Sequence, residues 1–178
     1  MLRLTLYELF DWRFMQTDPN WGNFLYDSSS DTLHMIDFGA CRSYDKSFVD
    51  KYIEIVKASA EMDSKALLRH SIAIGMLTGD ESPIMLTAHE KAGFALGEPF
   101  SSKFLDANGL YDWAKQDSTR KVTNEARVFL EHRLVAPPSE VYSLHRRLSG
   151  AFSICIRLGA RTPCRREFLQ VYNRYKLQ

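Results

Sequence analysis

Long apolar runs are missing from this sequence: no stretch approaches the roughly 18 residues needed to cross a bilayer. Cysteine is scarce as well. Cys41, Cys155 and Cys164 form no C-x-x-C and leave an odd count, which argues against a disulfide framework or a zinc site and suits a reducing interior. Charge of one sign is nearly absent in sum: the formal net charge is +1, which offers nothing to nucleic acid or to a strongly acidic partner. There is no internal repeat and no low-complexity tract. What remains is an ordinary globular composition, 45% hydrophobic and 25% charged over 178 residues, long enough for one compact domain with a core of its own. The charge balance conceals an asymmetry. From residue 141 onward the chain carries eight Arg and Lys against a single acid, Glu167, so the first 140 residues are net acidic. Those basic residues (Arg146, Arg147, Arg157, Arg161, Arg165, Arg166, Arg174, Lys176) are spread over two expected helices. They suit a solvated face or pairing with the acidic remainder, the alternative being peripheral contact with anionic lipid headgroups.

The stretch from Gln16 to Arg42 carries the chemistry. It reads Q-T-D-P-N-W-G-N-F-L-Y-D, a polar turn, and T-L-H-M-I-D-F-G-A-C-R. Asp18 and Asn23 have the D-x-x-x-x-N offset of a protein-kinase catalytic loop, and Asp37-Phe38-Gly39 follows as a D-F-G. A D-F-G alone turns up by chance in about 2% of chains of this length, and the upstream D-x4-N lowers that roughly 50-fold, so the pair is informative. The residue types suit Mg²⁺, a hard cation that takes oxygen ligands and keeps several waters. Asp37 would offer a carboxylate from the end of an apolar strand, with Gly39 turning the backbone at once. Asn23 would add a neutral carbonyl oxygen, and Asp18 would be left to accept or orient a proton on the phosphoacceptor. Pro19 stiffens the loop, and Gly22 permits close approach of backbone to phosphate. Short strands at Asn23–Tyr26 and Thr32–Ile36 around a turn at 27–31 form a hairpin, and antiparallel pairing brings Asn23 and Asp37 to the same end. His34, alternating with Leu33 and Met35, faces outward. Arg42 either touches phosphate or holds the segment.

The rest of the pattern is helical. Residues 2–14 are apolar nearly all round, the signature of a buried helix that delivers the loop; Glu8 and Asp11 interrupt any reading of the start as a presequence. Asp45 opens a helix with Phe48, Tyr52, Ile55, Val56 and Ser59 as its stripe, only five residues after Gly39. That leaves no room for the long activation segment on which peptide substrates dock. Further helices are expected at 64–76 behind Asp63, at 82–96 with Pro83 in the first turn, over a short piece at 110–115, and at 117–132 with Val122, Ala126, Phe129 and Leu130 inward. Residues 97–109 read as loop. After Pro137-Pro138, Val141, Leu144, Leu148, Ala151, Phe152, Cys155 and Leu158 mark the clearest helix, and Thr162-Pro163 opens a last one bearing Phe168, Val171, Tyr172 and Tyr175. The fold class is therefore mainly α with one small β-hairpin.

Met15-Gln16-Thr17-Asp18-Pro19-Asn20-Trp21-Gly22-Asn23-Phe24 and Ile36-Asp37-Phe38-Gly39-Ala40 closely resemble the UbiB-type atypical kinases, where ordinary kinases show His-Arg in place of Gln16-Thr17. The resemblance continues through Leu77-Thr78-Gly79, His132-Arg133-Leu134-Val135, Pro137-Pro138 and Tyr142-Ser143-Leu144-His145-Arg146, and so covers nearly the whole chain. It implies a protein-kinase-like fold and an ATP-dependent kinase or ATPase of mitochondrial coenzyme Q (ubiquinone) biosynthesis. Asp18 would be catalytic, Asn23 and Asp37 would hold Mg²⁺ and ATP, and lipid or ubiquinone precursors and other coenzyme Q proteins would be partners. It also implies an N-terminal lobe with an Ala-rich nucleotide loop, a strand lysine, its helix glutamate and a K-x-G-Q extension, none of which precedes Asp18. Residues 1–178 thus correspond to a single C-terminal lobe, expected to be inactive in isolation and to expose apolar surface. The alternative is a non-catalytic lipid- or protein-binding module derived from such a kinase.

Overall fold

The computed structural model describes residues 1–116 and 118–177. Eight α-helices and three two-stranded antiparallel ladders make up the regular structure among them. Helix α1 (Leu2–Phe10) buries Leu2, Thr5, Leu6, Glu8, Leu9 and Phe10, as a helix apolar all round must, and packs against the two C-terminal helices. It stops four residues before the expected end. Arg13 takes a left-handed backbone (φ 52°), and the chain leaves as strand β1 (Phe14–Gln16), with Phe14 outward and Met15 fully buried.

The hairpin forms where the turn cluster placed it, from β2 (Phe24–Asp27) and β3 (Thr32–Met35), in the register Phe24 with Met35 through Asp27 with Thr32. Asp27 fixes its turn by accepting from the Ser29 amide (2.9 Å) and from the Ser29 and Ser30 hydroxyls (2.7 Å each), bonds that hold its carboxyl down to about 2. His34 is exposed as expected, but so is its neighbour Leu33. Strand β4 (Cys41–Ser43) then returns to pair with β1, a ladder that no local period announces.

Helix α2 (Lys46–Glu61) follows at once and ends on Met62 in the left-handed region (φ 59°). Asp63 caps α3 (Ser64–Ala73) through the Ala66 amide, and Ser82 caps α4 (Pro83–Gly97) through that of Met85. Gly97 is demanded by packing: a Cβ there would stand 2.4 Å from the Ser59 carbonyl carbon, so only glycine lets the end of α4 lie against α2. The expected loop after it holds two 3₁₀ turns (Glu98–Phe100 and Ser102–Phe104).

Two expectations are corrected here. The short helix at 110–115 is instead β5 (Tyr111–Asp112), paired with β6 (Arg161–Thr162), because Tyr111 and Trp113 are drawn fully into the core and Trp113 donates to the Thr162 hydroxyl at 2.7 Å. The helix at 117–132, whose first residue lies outside the described residues, is two pieces, α5 (Ser118–Asn124) and α6 (Ala126–His132). Val122 and Phe129 are half-buried, but Ala126 is exposed and Leu130 is 88% exposed, since the break re-phases the stripe. Helix α7 (Ser139–Arg157) buries Val141, Leu144, Leu148, Ala151, Phe152 and Cys155 along one face. Leu158 falls beyond its end, before Gly159 turns the chain (φ 56°), and is 74% exposed. Helix α8 (Cys164–Lys176) closes the core with Phe168, Val171 and Tyr175, while Tyr172 is half-buried. All three cysteines are free thiols, with Cys155 and Cys164 buried.

Candidate active site

The loop from Thr17 to Asn23 is held at both ends. Thr17 donates its amide (3.1 Å) and hydroxyl (2.7 Å) to the carbonyl of Ala40, just past the D-F-G, and the β1–β4 ladder continues this tie through Gln16 opposite Cys41. Within the loop, the Asn20 amide reaches Asp18 Oδ1 (3.4 Å), Asn20 Oδ1 accepts from the Gly22 amide (3.0 Å), and Trp21–Asn23 close a 3₁₀ turn. Neither Gly22 nor Gly39 uses the left-handed backbone, so their value lies in the small side chain and not in a special φ. Helix α7 supports the loop from below: Gly150 faces Pro19 so closely that a Cβ would come within 2.2 Å of the proline ring.

Asn23 is buried, and its Nδ2 donates to Asp18 Oδ2 at 2.9 Å. This bond fixes the amide and leaves its carbonyl oxygen to face another partner. The Ile36 amide donates to the Asn23 carbonyl at 3.0 Å, extending the hairpin by one bond and setting Asp37 one residue beyond it. Asp37 is exposed. Its Oδ1 accepts from the Gly39 amide (2.8 Å), which turns the D-F-G and leaves the second carboxylate oxygen outside that bond. The other oxygen of Asp18 receives Arg146 of α7 at 3.1 Å. The carboxylates of Asp18 and Asp37 and the side-chain oxygen of Asn23 are hard donors, a chemistry that suits Mg²⁺ better than a metal preferring thiolate or imidazole. Among the described residues no three His, Cys, Asp or Glu side chains gather as a metal cage.

Several side chains around this loop carry no sequence motif. Glu8 of α1 accepts from the Gln16 amide at 3.2 Å and pairs with Arg147 of α7 at 3.1 Å, both side chains being almost wholly enclosed (2% and 1% exposed). Burial pushes the Glu8 carboxyl up, opposed by the Arg147 charge. The Arg147 guanidinium also lies over the Phe24 ring, 5.0 Å from its centroid, next to Asn23. Arg42 holds the segment: it reaches Glu140 (3.0 Å) and the Ser139 hydroxyl (2.8 Å) at the start of α7. The basic C-terminal residues largely turn inward to acids of the earlier chain, Arg174 to Asp11, Lys176 to Glu54 and Arg161 to Asp106, while Arg157 stacks on Trp21 at 5.2 Å. Trp12, Phe14, Trp21, Leu25, Tyr26, Leu33, Ile36 and Phe38 are exposed, and all belong to the hairpin or the segments flanking it.

Residues 1–71 match the family described as the ABC1 atypical kinase-like domain. The chain is 47% identical over 175 residues to the rat protein named atypical kinase COQ8B, mitochondrial, a match covering 98% of this chain and 32% of the relative. It is 46% identical over 178 residues to the zebrafish (Danio rerio) protein of that name, covering 100% of this chain and 28% of the relative. To the Saccharomyces cerevisiae protein named atypical kinase COQ8, mitochondrial, it is 37% identical over 172 residues, covering 97% of this chain and 34% of the relative. The chain therefore spans about a third of the length of these relatives. With D-x4-N, D-F-G and a mainly helical kinase-like fold arranged as described, the chain belongs to the UbiB-type, or ABC1, atypical kinase-like family.

Proposed function

We propose that residues 1–178 form the C-terminal lobe of a mitochondrial atypical kinase or ATPase that binds Mg·ATP in support of coenzyme Q production. The observation that carries this is the bond from Asn23 Nδ2 to Asp18 Oδ2, made beside the hairpin's closing bond from the Ile36 amide to the Asn23 carbonyl. Together they support a reading in which the loop carboxylate, the Asn23 amide oxygen and the D-F-G carboxylate serve one site. Asn23 and Asp37 would hold Mg²⁺, which when bound neutralises charge on the nucleotide phosphates. Asp18 would orient or accept the proton of the phosphoacceptor, steadied by Asn23 on one oxygen and Arg146 on the other. Phosphoryl transfer rests mostly on positioning and charge stabilisation, which rigid side chains of this kind supply. The five residues between the D-F-G and α2's cap leave no peptide-docking platform, which favours a small or lipid acceptor over a protein one.

Residues 1–17 contain no lysine, so residues 1–178 tested alone are expected to show no significant ATPase. Exposed apolar groups around the hairpin fit a surface covered by further protein. They also favour a second reading, that of a non-catalytic binding module. The test is calorimetric titration of Mg·ATP into the longer protein with its upstream lobe, wild type against Asp37→Asn, with at least about a tenfold loss of affinity expected in the variant. Equal binding by both defeats the metal assignment. Turnover by residues 1–178 that Asp37→Asn abolishes would overturn the expected inactivity.

A further inference from the structure

On the side of the lobe formed by α2, α4, α6 and α7 lies a cavity of about 590 Å³, within the range of small-molecule sites. Its wall is mostly apolar, with Ile55 and Val56 from α2, Leu96 from α4, Phe129 from α6 and Val141 from α7, and no Asp or Glu lines it among the described residues. Two histidines face it, and each is already bonded: His89 to the Ser71 hydroxyl (2.8 Å) and His145 to the Tyr52 hydroxyl (3.0 Å). Burial holds both rings well below their ordinary value, at about 4, so neither brings charge at neutral pH.

Two arginines reach the same wall, and they differ in what they hold. Arg146 is committed to Asp18. Arg133, at the C-terminal end of α6, forms no ion pair among the described residues, and its Nε is buried without a hydrogen-bond partner. Its guanidinium lies over the Phe129 ring, 4.7 Å from the centroid, and burial pulls its pKa down. Arg133 is half-buried, its guanidinium stays charged at any ordinary pH, and leaving its buried Nε without a partner carries a cost. An apolar wall ending at one uncommitted, planar, five-donor cation describes a ligand with a hydrocarbon body and one flat, singly charged head.

We infer that this cavity binds a linear apolar molecule ended by a carboxylate, its chain along Ile55, Leu96 and Val141 and its head paired with Arg133. One guanidinium matches one carboxylate bidentately, whereas a phosphate dianion would call for a second cation. Arg146, engaged with Asp18, does not supply it. The site is separate from the nucleotide reading and stands or falls without it.

The experiment is calorimetric titration of residues 1–178 with sodium myristate below its micellar range, beside myristyl alcohol, which has the same tail and no charge. Circular dichroism monitors the helices throughout. Myristate is expected to bind at least about tenfold more tightly than the alcohol, the discrimination a charge-assisted pair provides. Arg133→Gln, which keeps a polar side chain of similar reach, is expected to bring myristate down to the level of the alcohol and leave the alcohol unchanged. No myristate binding, equal affinity for acid and alcohol in the wild type, or undiminished myristate binding by Arg133→Gln would each overturn the proposal. The comparison of head groups needs no variant and so holds even if Arg133→Gln folds poorly.

Discussion

At the scale of single residues, Gln16 and Asn23 show how differently two buried amides can behave within one loop. Asn23 donates to Asp18 and its backbone closes the hairpin, so its amide is fixed beside the loop carboxylate. Gln16 is equally enclosed, yet neither its Nε2 nor its Oε1 has a hydrogen-bond partner among the described residues. A buried polar group without partners costs about 1–3 kcal/mol, and replacing it by an apolar group of like shape returns part of that. Gln16→Met is therefore expected to leave thermal stability unchanged or to raise Tm by roughly 2–4 °C per kcal/mol regained. A drop of several degrees on a melting curve would show that the amide has a partner. Arg146 stands at the other extreme. It is half-exposed, and such ion pairs contribute only about 0–1 kcal/mol, so its importance lies in what it does to Asp18 and not in holding the fold.

At the scale of elements, the pair Glu8–Arg147 is the joint of the fold, since it connects α1, β1, α7 and, through the Phe24 ring, β2. Removing one member of an enclosed pair strands the other's charge. Arg147→Met is thus expected to cost about 3–5 kcal/mol in chemical denaturation, and Glu8→Leu/Arg147→Met to recover most of it. The double variant would still fall short by about 1–3 kcal/mol, because the Gln16 amide loses its acceptor. If Arg147→Met unfolds at the same denaturant concentration as the surface change Arg157→Met, the pair is not what joins these elements.

This joint was open to discovery in the sequence. Arg147 falls at helical spacing with Leu144, Leu148 and Ala151, and Glu8 sits in a helix apolar all round, so two opposite charges lay on faces bound for the core. Helices α2, α4, α7 and α8 were legible from their stripes and caps, and the hairpin from its serine-rich turn. The ladders β1–β4 and β5–β6 were not, because strands of two or three residues have no period and are created by partners distant in the chain. For the same reason spacing placed Asp18, Asn23 and Asp37 together but gave no sign of Arg146, which lies 128 residues beyond Asp18.

For the molecule as a whole, pH bears on the helical side through its two enclosed histidines. His89 on α4 and His145 on α7 are kept neutral by burial, each at about 4 against an ordinary value near 6.5. Between those values the unfolded chain binds protons that the folded chain refuses, so stability rises with pH across this window and is lost as pH falls toward 4. Carboxylic acids in model peptides titrate mostly below pH 5. The decline from pH 7 to pH 5 should therefore belong mainly to the histidines. His89→Gln/His145→Gln keeps a side chain able to bond Ser71 and Tyr52 while removing the titration. Its Tm is expected to fall much less than that of the wild type over this interval, at a cost of about 1–2 kcal/mol at pH 7 for imperfect packing. Parallel curves for the two proteins between pH 7 and 5 would mean that the rings are already charged in the folded lobe, and that the helices meet around imidazolium and not imidazole.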